Sequence, residues 1–164
     1  MYKNRNRLIL ALSVLFIGLF LFSAAGASDY LPQWEIQRIV KIGRQLSLSN
    51  EEIVLLWSIR KHENGRKGRE FGVLHPVRPL TYNSQARWCA FSIIQNRIRF
   101  YNKYHKRLTK DTIGVFIWFM GNRYAPVPCK NDPKRLNAFW IPSVTRYWHI
   151  YYDMYIDELR SGRL

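Results

Sequence analysis

Ile53, Val54, Leu55, Leu56, Trp57 and Ile59 make a run that is apolar at almost every position. Placed on a helix at about 100° per residue, they cover most of the circumference, which predicts a helix enclosed by the rest of the fold. Ser49 and Glu52, three apart, form a capping box that starts it. Asn64-Gly65 supplies a left-handed cap that ends it. Glu63 is then its last residue, on the apolar side between Leu56 and Ile59.

The other segments read as elements around this one. Residues 30–46 carry Trp34, Ile36, Ile39, Val40 and Leu46 at rough helical spacing, with Pro32 near the start. A short connection should pair this helix antiparallel with the central one. Residues 64–79 hold three glycines and two prolines, the composition of a loop. Within it, Phe71-Gly72-Val73-Leu74 suits a brief extended piece. Tyr82 to Tyr104 reads as a long helix, capped by Ser84, with a stripe of Trp88, Phe91, Ile94, Ile98 and Tyr101 and an exposed face of Arg87, Arg97, Arg99 and Lys103. Thr112 to Met120 is an apolar helix closed by Gly121. Residues 124–136 form a proline-rich loop, and a last helix runs from about Trp140 to Leu159, with Pro142 in its first turn. There is no internal repeat and no sign of a second domain. The expectation is a mainly α single domain of about five helices with a short extended loop region.

The N-terminus adds a hydrophobic signal segment. Lys3, Arg5 and Arg7 precede an apolar run from Leu8 to Phe22, followed by small residues at Ala25 and Ala27. This is the pattern of a signal peptide over residues 1–27, cleaved after Ala27, with the working domain at 28–164. Counted through Ala27, the apolar stretch reaches the roughly 20 residues that a membrane span needs, so an uncleaved anchor over 8–27 stands as the alternative. Either way the expectation is export, to the periplasm or cell envelope.

Export changes what the charge means. The whole chain is +15, and 28–164 keeps 23 basic against 11 acidic residues, about +12. Such a field attracts polyanions. In an extracytoplasmic space these are anionic envelope surfaces, and no specific nucleic acid is expected. Cys89 and Cys129 allow one disulfide in an oxidising compartment, or two thiols that never meet. Without a CxxC pair or an HExxH sequence, neither a metal nor a cofactor is implied.

The chemistry centres on Glu63. A carboxyl on the apolar side of a helix loses solvent, which raises its pKa and suits it to donate a proton near neutral pH. The bland alternative is a solvated side chain near a helix end. Aromatic residues make up 15% of the chain. They suit a groove that stacks on sugar rings, and equally a tyrosine-rich core.

A helix ending in Glu63-Asn64, a loop with Gly72-Val73-Leu74-His75, and Tyr124 in a later Arg-Tyr-Ala-Pro-Val resemble the lysozyme-like superfamily. The resemblance is greatest to its lytic transglycosylase branch and related phage muralytic domains. Those families carry Glu-Ser, then Gly-Leu-Met-Gln, then a tyrosine. Asn64 and His75 depart from that pattern. The resemblance implies a lysozyme-like fold and cleavage of peptidoglycan glycan strands between N-acetylmuramic acid and N-acetylglucosamine; a monomer is expected. It implies Glu63 as general acid and then base. It also implies Asn64, Gly72, Val73, Leu74, His75, Tyr124 and Asn131 as substrate-binding positions. A hydrolytic muramidase needs a second acid, for which Glu70 and Asp132 are the nearby candidates. Glu70 is expected to pair with Arg66 or Arg69, and Asp132 to cap a turn. A non-enzymatic module that grips the envelope through its basic surface is the other alternative.

Overall fold

The computed structural model describes residues 30–63, 69–73, 81–128, 130, 132 and 135–164. The expected signal segment at 1–27 lies outside them, as do Asn64-Gly65, Leu74, His75, Cys129 and Asn131. Residues 31–164 form one compact unit. Among the described residues there are five α-helices, one 3-10 turn and no strand. In chain order they are α1 (Gln33–Gln45), α2 (Asn50–Glu63), α3 (Tyr82–Tyr104), α4 (Ile113–Tyr124), the 3-10 helix (Leu136–Phe139) and α5 (Trp140–Arg160). Among the described residues no helix is long and apolar enough to cross a membrane.

Helix α2 is the axis of the unit. Its residues from Glu52 to Arg60 are all buried, and the six apolar ones are at most 1% exposed. The capping box is formed: the Ser49 N–H donates to Glu52 Oε2 at 2.8 Å, and the Glu52 N–H to Ser49 Oγ at 3.4 Å. Helix α5 lies along α2 with an aromatic face. Trp57 sits edge-on to Tyr151 and Tyr155, with ring centroids 5.8 and 5.4 Å away. Trp148 donates to the Glu51 carbonyl at 3.1 Å, and Tyr155 OH to Asn50 Oδ1 at 3.1 Å. Burying each such ring contributes on the order of 2 kcal/mol. Helix α1 also packs on α2, where Gly43 lets its backbone approach: a Cβ built there would fall 2.6 Å from Ile53 Cγ1.

Helix α3 turns a different face inward from the one its large residues suggest. Ala86, Cys89, Ala90, Ile93 and Phe100 are buried, while Trp88, Phe91, Ile98 and Tyr101 are 40–53% exposed. Small side chains let α3 approach the core closely, and the bulky stripe is left outside. Trp34 of α1 is likewise exposed. The cap of α3 is Thr81, whose hydroxyl accepts from the Ser84 N–H at 3.2 Å, so Ser84 is the partner of the cap and not the cap. Gly121 does not stop α4, which continues to Tyr124. A Cβ at Gly121 would fall 3.0 Å from Trp140 Cε3 and closer still to Ile141 Cγ1, so the glycine is a contact point for α5. The expected extended piece is a turn over its described part, with the Gly72 N–H bonded to the Arg69 carbonyl at 3.1 Å.

Candidate active site

Glu63 ends α2 with its carboxyl half-buried. Trp140, the first residue of α5, is 2% exposed and donates its indole N–H to Glu63 Oε1 at 2.9 Å. Gly72 covers the carboxyl from the loop. Its φ is +66°, and a Cβ built on it would fall 2.8 Å from Oε1 and nearer still to Cδ and Oε2. Both the backbone conformation and the close approach require glycine.

Two groups hold that loop in place. Tyr124, the last residue of α4, donates its hydroxyl to the Phe71 carbonyl at 2.6 Å. Its ring lies 5.3 Å from that of Trp140. On the other side the Phe71 ring, fully buried, meets the Tyr82 ring edge-on at 5.3 Å. Tyr82 OH donates to Glu35 Oε2 at 2.9 Å, and Arg60 Nη2 donates to Glu35 Oε1 at 3.0 Å, with Arg60 Nε in ion-pair contact 2.7 Å from Oε2. Arg60 stands one turn before Glu63 on α2. The buried ion pair thus ties α1, α2 and α3 to the loop that presses on the carboxyl. Such a pair is costly to break, because one partner would be left charged and dry.

The electrostatics follow from this enclosure. Loss of solvent pushes the Glu63 carboxyl above the usual carboxylate range, and the Trp140 hydrogen bond partly offsets it. The end of the α2 dipole also disfavours an anion there. Burial lowers the pKa of His62, whose ring meets Trp140 edge-on at 6.3 Å. The Tyr124 hydroxyl is pushed well up by burial, and so is the Cys89 thiol 3.9 Å from it. Among the described residues, then, a half-buried acid of raised pKa is held between the Trp140 indole and the Gly72 backbone.

Glu63, Gly72 and Tyr124 therefore meet. Val73 packs half-buried against the core, and its carbonyl accepts from Gln85 at 3.4 Å. Asn64, Leu74, His75 and Asn131 lie outside the described residues. Cys89 is a free thiol. Its sulfur is buried in the core beside Tyr124, and Cys129, the other half of the disulfide that the sequence allowed, lies outside the described residues. Asp132 caps the 3-10 helix, accepting from the Leu136 and Asn137 N–H groups at 2.8 and 2.7 Å. Glu70 is buried, with Oε2 unbonded; it makes no ion pair with Arg69, and Arg66, its other expected partner, lies outside the described residues. Trp140, Phe71 and the Glu35–Arg60–Tyr82 group are site residues that sequence reading did not single out.

Removing the indole donor should move Glu63 in a set direction. In Trp140→Phe the indole hydrogen bond that favours the carboxylate is gone while an aromatic ring remains, so the pKa of Glu63 should rise above its wild-type value. Carbon-13 NMR of the Glu63 carboxyl reads this directly, and an unchanged or lower value would show that the bond does not stabilise the charge. Compared with protein-family models, curated proteins and solved structures, the chain matches none.

Proposed function

We propose that the chain is a peptidoglycan-cleaving enzyme with a lysozyme-like fold, a lytic transglycosylase in which Glu63 is the general acid and then the base. One observation carries this reading. Glu63, Gly72 and Tyr124, separated in sequence, converge so that a half-buried carboxyl sits under a glycine turn pinned by a tyrosine. In the proposed reaction protonated Glu63 gives its proton to the oxygen between N-acetylmuramic acid and N-acetylglucosamine. The bond from that oxygen to C1 breaks. The carboxylate then takes the proton of the muramic acid 6-hydroxyl as O6 bonds to C1, which closes a 1,6-anhydro ring. No water enters, and no second carboxylate is needed.

The surroundings of Asp132 favour this course over hydrolysis. Both oxygens of Asp132 are engaged as a helix cap, which leaves it poorly placed to activate water. Val127, Leu136 and Phe139, on the segment between Tyr124 and Trp140, are 51–63% exposed and offer apolar surface to sugar faces. The N-terminal pattern fits export to the periplasm or envelope, where this substrate lies.

The test is mass spectrometry of purified murein sacculi digested with the protein. Soluble muropeptides with 1,6-anhydro ends are expected. Reducing ends would replace the transglycosylase by a muramidase, and intact sacculi that merely retain the protein would leave a binding module.

A further inference from the structure

At the start of α2, remote from Glu63, a cavity of about 410 Å³ opens between α3 and the segment that follows it. His105, at φ +53°, ends α3 and turns the chain so that residues 106–108 form one wall. Ile98, Tyr101 and Leu108 give the cavity apolar sides. Its polar groups are Arg97, Lys106 and Arg107, with Glu52 beneath.

The charges are unequal in their access. Glu52 is fully buried, and its Oε2 takes both the Ser49 N–H and Arg97 Nη1, at 2.8 and 2.7 Å. This pair does not expose an anion. It fixes the Arg97 guanidinium, whose side chain stays 37% exposed. Lys106 and Arg107 are exposed, and among the described residues neither has an acidic partner. A pocket with apolar walls, one pre-oriented guanidinium and two unpaired cations selects an anionic group on an organic body.

We propose that this cavity is a second ligand site, which takes the free carboxylate of a short peptide. The choice of peptide rests on the peptidoglycan reading above, since glycan strands there bear short peptides ending in a carboxylate. Eleven residues of helix separate Glu52 from Glu63, about 16 Å at the α-helical rise. An extended peptide covers about 3.5 Å per residue, so a stem of about five residues matches that span. The volume lies at the lower end of the range for small-ligand pockets, about 300–1,000 Å³, which suits the end of a peptide better than a lipid chain.

Calorimetry on the full chain carrying Glu63→Gln tests the site without any cleavage. The probes are N-acetyl-D-alanyl-D-alanine and its C-terminal amide. The acid should bind, and the amide should bind about tenfold more weakly or worse, a difference of about 1.4 kcal/mol. The double substitution Lys106→Ala, Arg107→Ala changes two exposed residues and should weaken the acid by a similar factor. Equal binding of acid and amide, or no binding of either at millimolar concentration, overturns the proposal. So does inorganic phosphate displacing the acid at equal concentration, which would mark a plain anion site. Binding of the acid with no cleavage of sacculi by the wild-type protein would leave the carboxylate site standing and remove the enzymatic reading alone.

Discussion

Glu63→Gln should abolish release of muropeptides while leaving the fold intact. Glutamine fills the same space, and its amide oxygen can still accept from Trp140 Nε1, now 2.9 Å from Glu63 Oε1. What it lacks is a transferable proton. General acid–base catalysis by a placed side chain supplies about 10²–10⁴-fold in rate, so activity should fall by at least that range. Stability should move the other way. Burial raises the Glu63 pKa in the folded state, so the folded protein binds the proton more tightly than the unfolded chain does. Stability is then lost as pH rises from the unfolded value, about 4.3, through the folded one. The variant carries no such penalty. At pH 7 its denaturation midpoint should equal or exceed the wild type's, and at pH 4 the difference should shrink. A gain in stability with a loss of activity marks a group retained for chemistry. Full activity in this variant would defeat the catalytic assignment.

The parts of this site that could be read in advance are those fixed by local sequence. An apolar run on every side of a wheel can only be an enclosed helix, and the Ser49–Glu52 box placed its start. Glu63 then followed as its last residue. The 3.6-residue period of α3 was also legible, but not its phase. Trp88, Phe91, Ile98 and Tyr101 outweigh Ala86, Cys89 and Ala90 on any hydrophobicity count, yet the small residues face the core. Close helix approach rewards small side chains, and a wheel of transfer energies does not contain that term. Gly121 shows the same limit. Read locally it stops a helix; its actual reason is Ile141, twenty residues on.

Trp140 was invisible for a related cause. Its indole reaches Glu63 from 77 positions away, and only the crossing of α5 over the end of α2 brings the two together. A tryptophan opening an aromatic-rich helix reads as packing. Its N–H, a group that usually finds an acceptor when buried, was the available hint. The Glu35–Arg60–Tyr82 group was hidden in the same way, since each member sits on a different helix. A buried glutamate in the first turn of α1 looks like an ordinary helix-start acid until its partner on α2 is seen.

Gly72→Ala should damage both the fold and the chemistry, for separable reasons. At φ +66° an L-residue pays about 1–2 kcal/mol for the left-handed conformation alone. The new methyl would also fall 2.8 Å from Glu63 Oε1 and nearer to Cδ. The carboxyl is the end of a flexible side chain, but Trp140 tethers it and the helix end limits its retreat. Either the carboxyl swings away from the indole, or the turn lifts and strains the Tyr124 bond to the Phe71 carbonyl. The denaturation free energy should fall by about 2–4 kcal/mol, the conformational and overpacking costs together. Because a misplacement of about 1 Å can cost roughly a hundredfold in rate, activity should drop by about that factor even where the variant is folded. A double-mutant cycle separates the two costs. Glu63→Asp withdraws the carboxyl by one methylene, so in the Gly72→Ala background it should restore part of the lost stability, leaving only the left-handed penalty. The coupling between the two positions should therefore be favourable, on the order of 1 kcal/mol, as expected for side chains in contact. Activity should not return, since the shortened acid no longer reaches the glycosidic oxygen. Additive stabilities in this cycle, or a fully active Gly72→Ala protein, would mean that the turn does not bear on Glu63 and would leave the carboxyl without its cover.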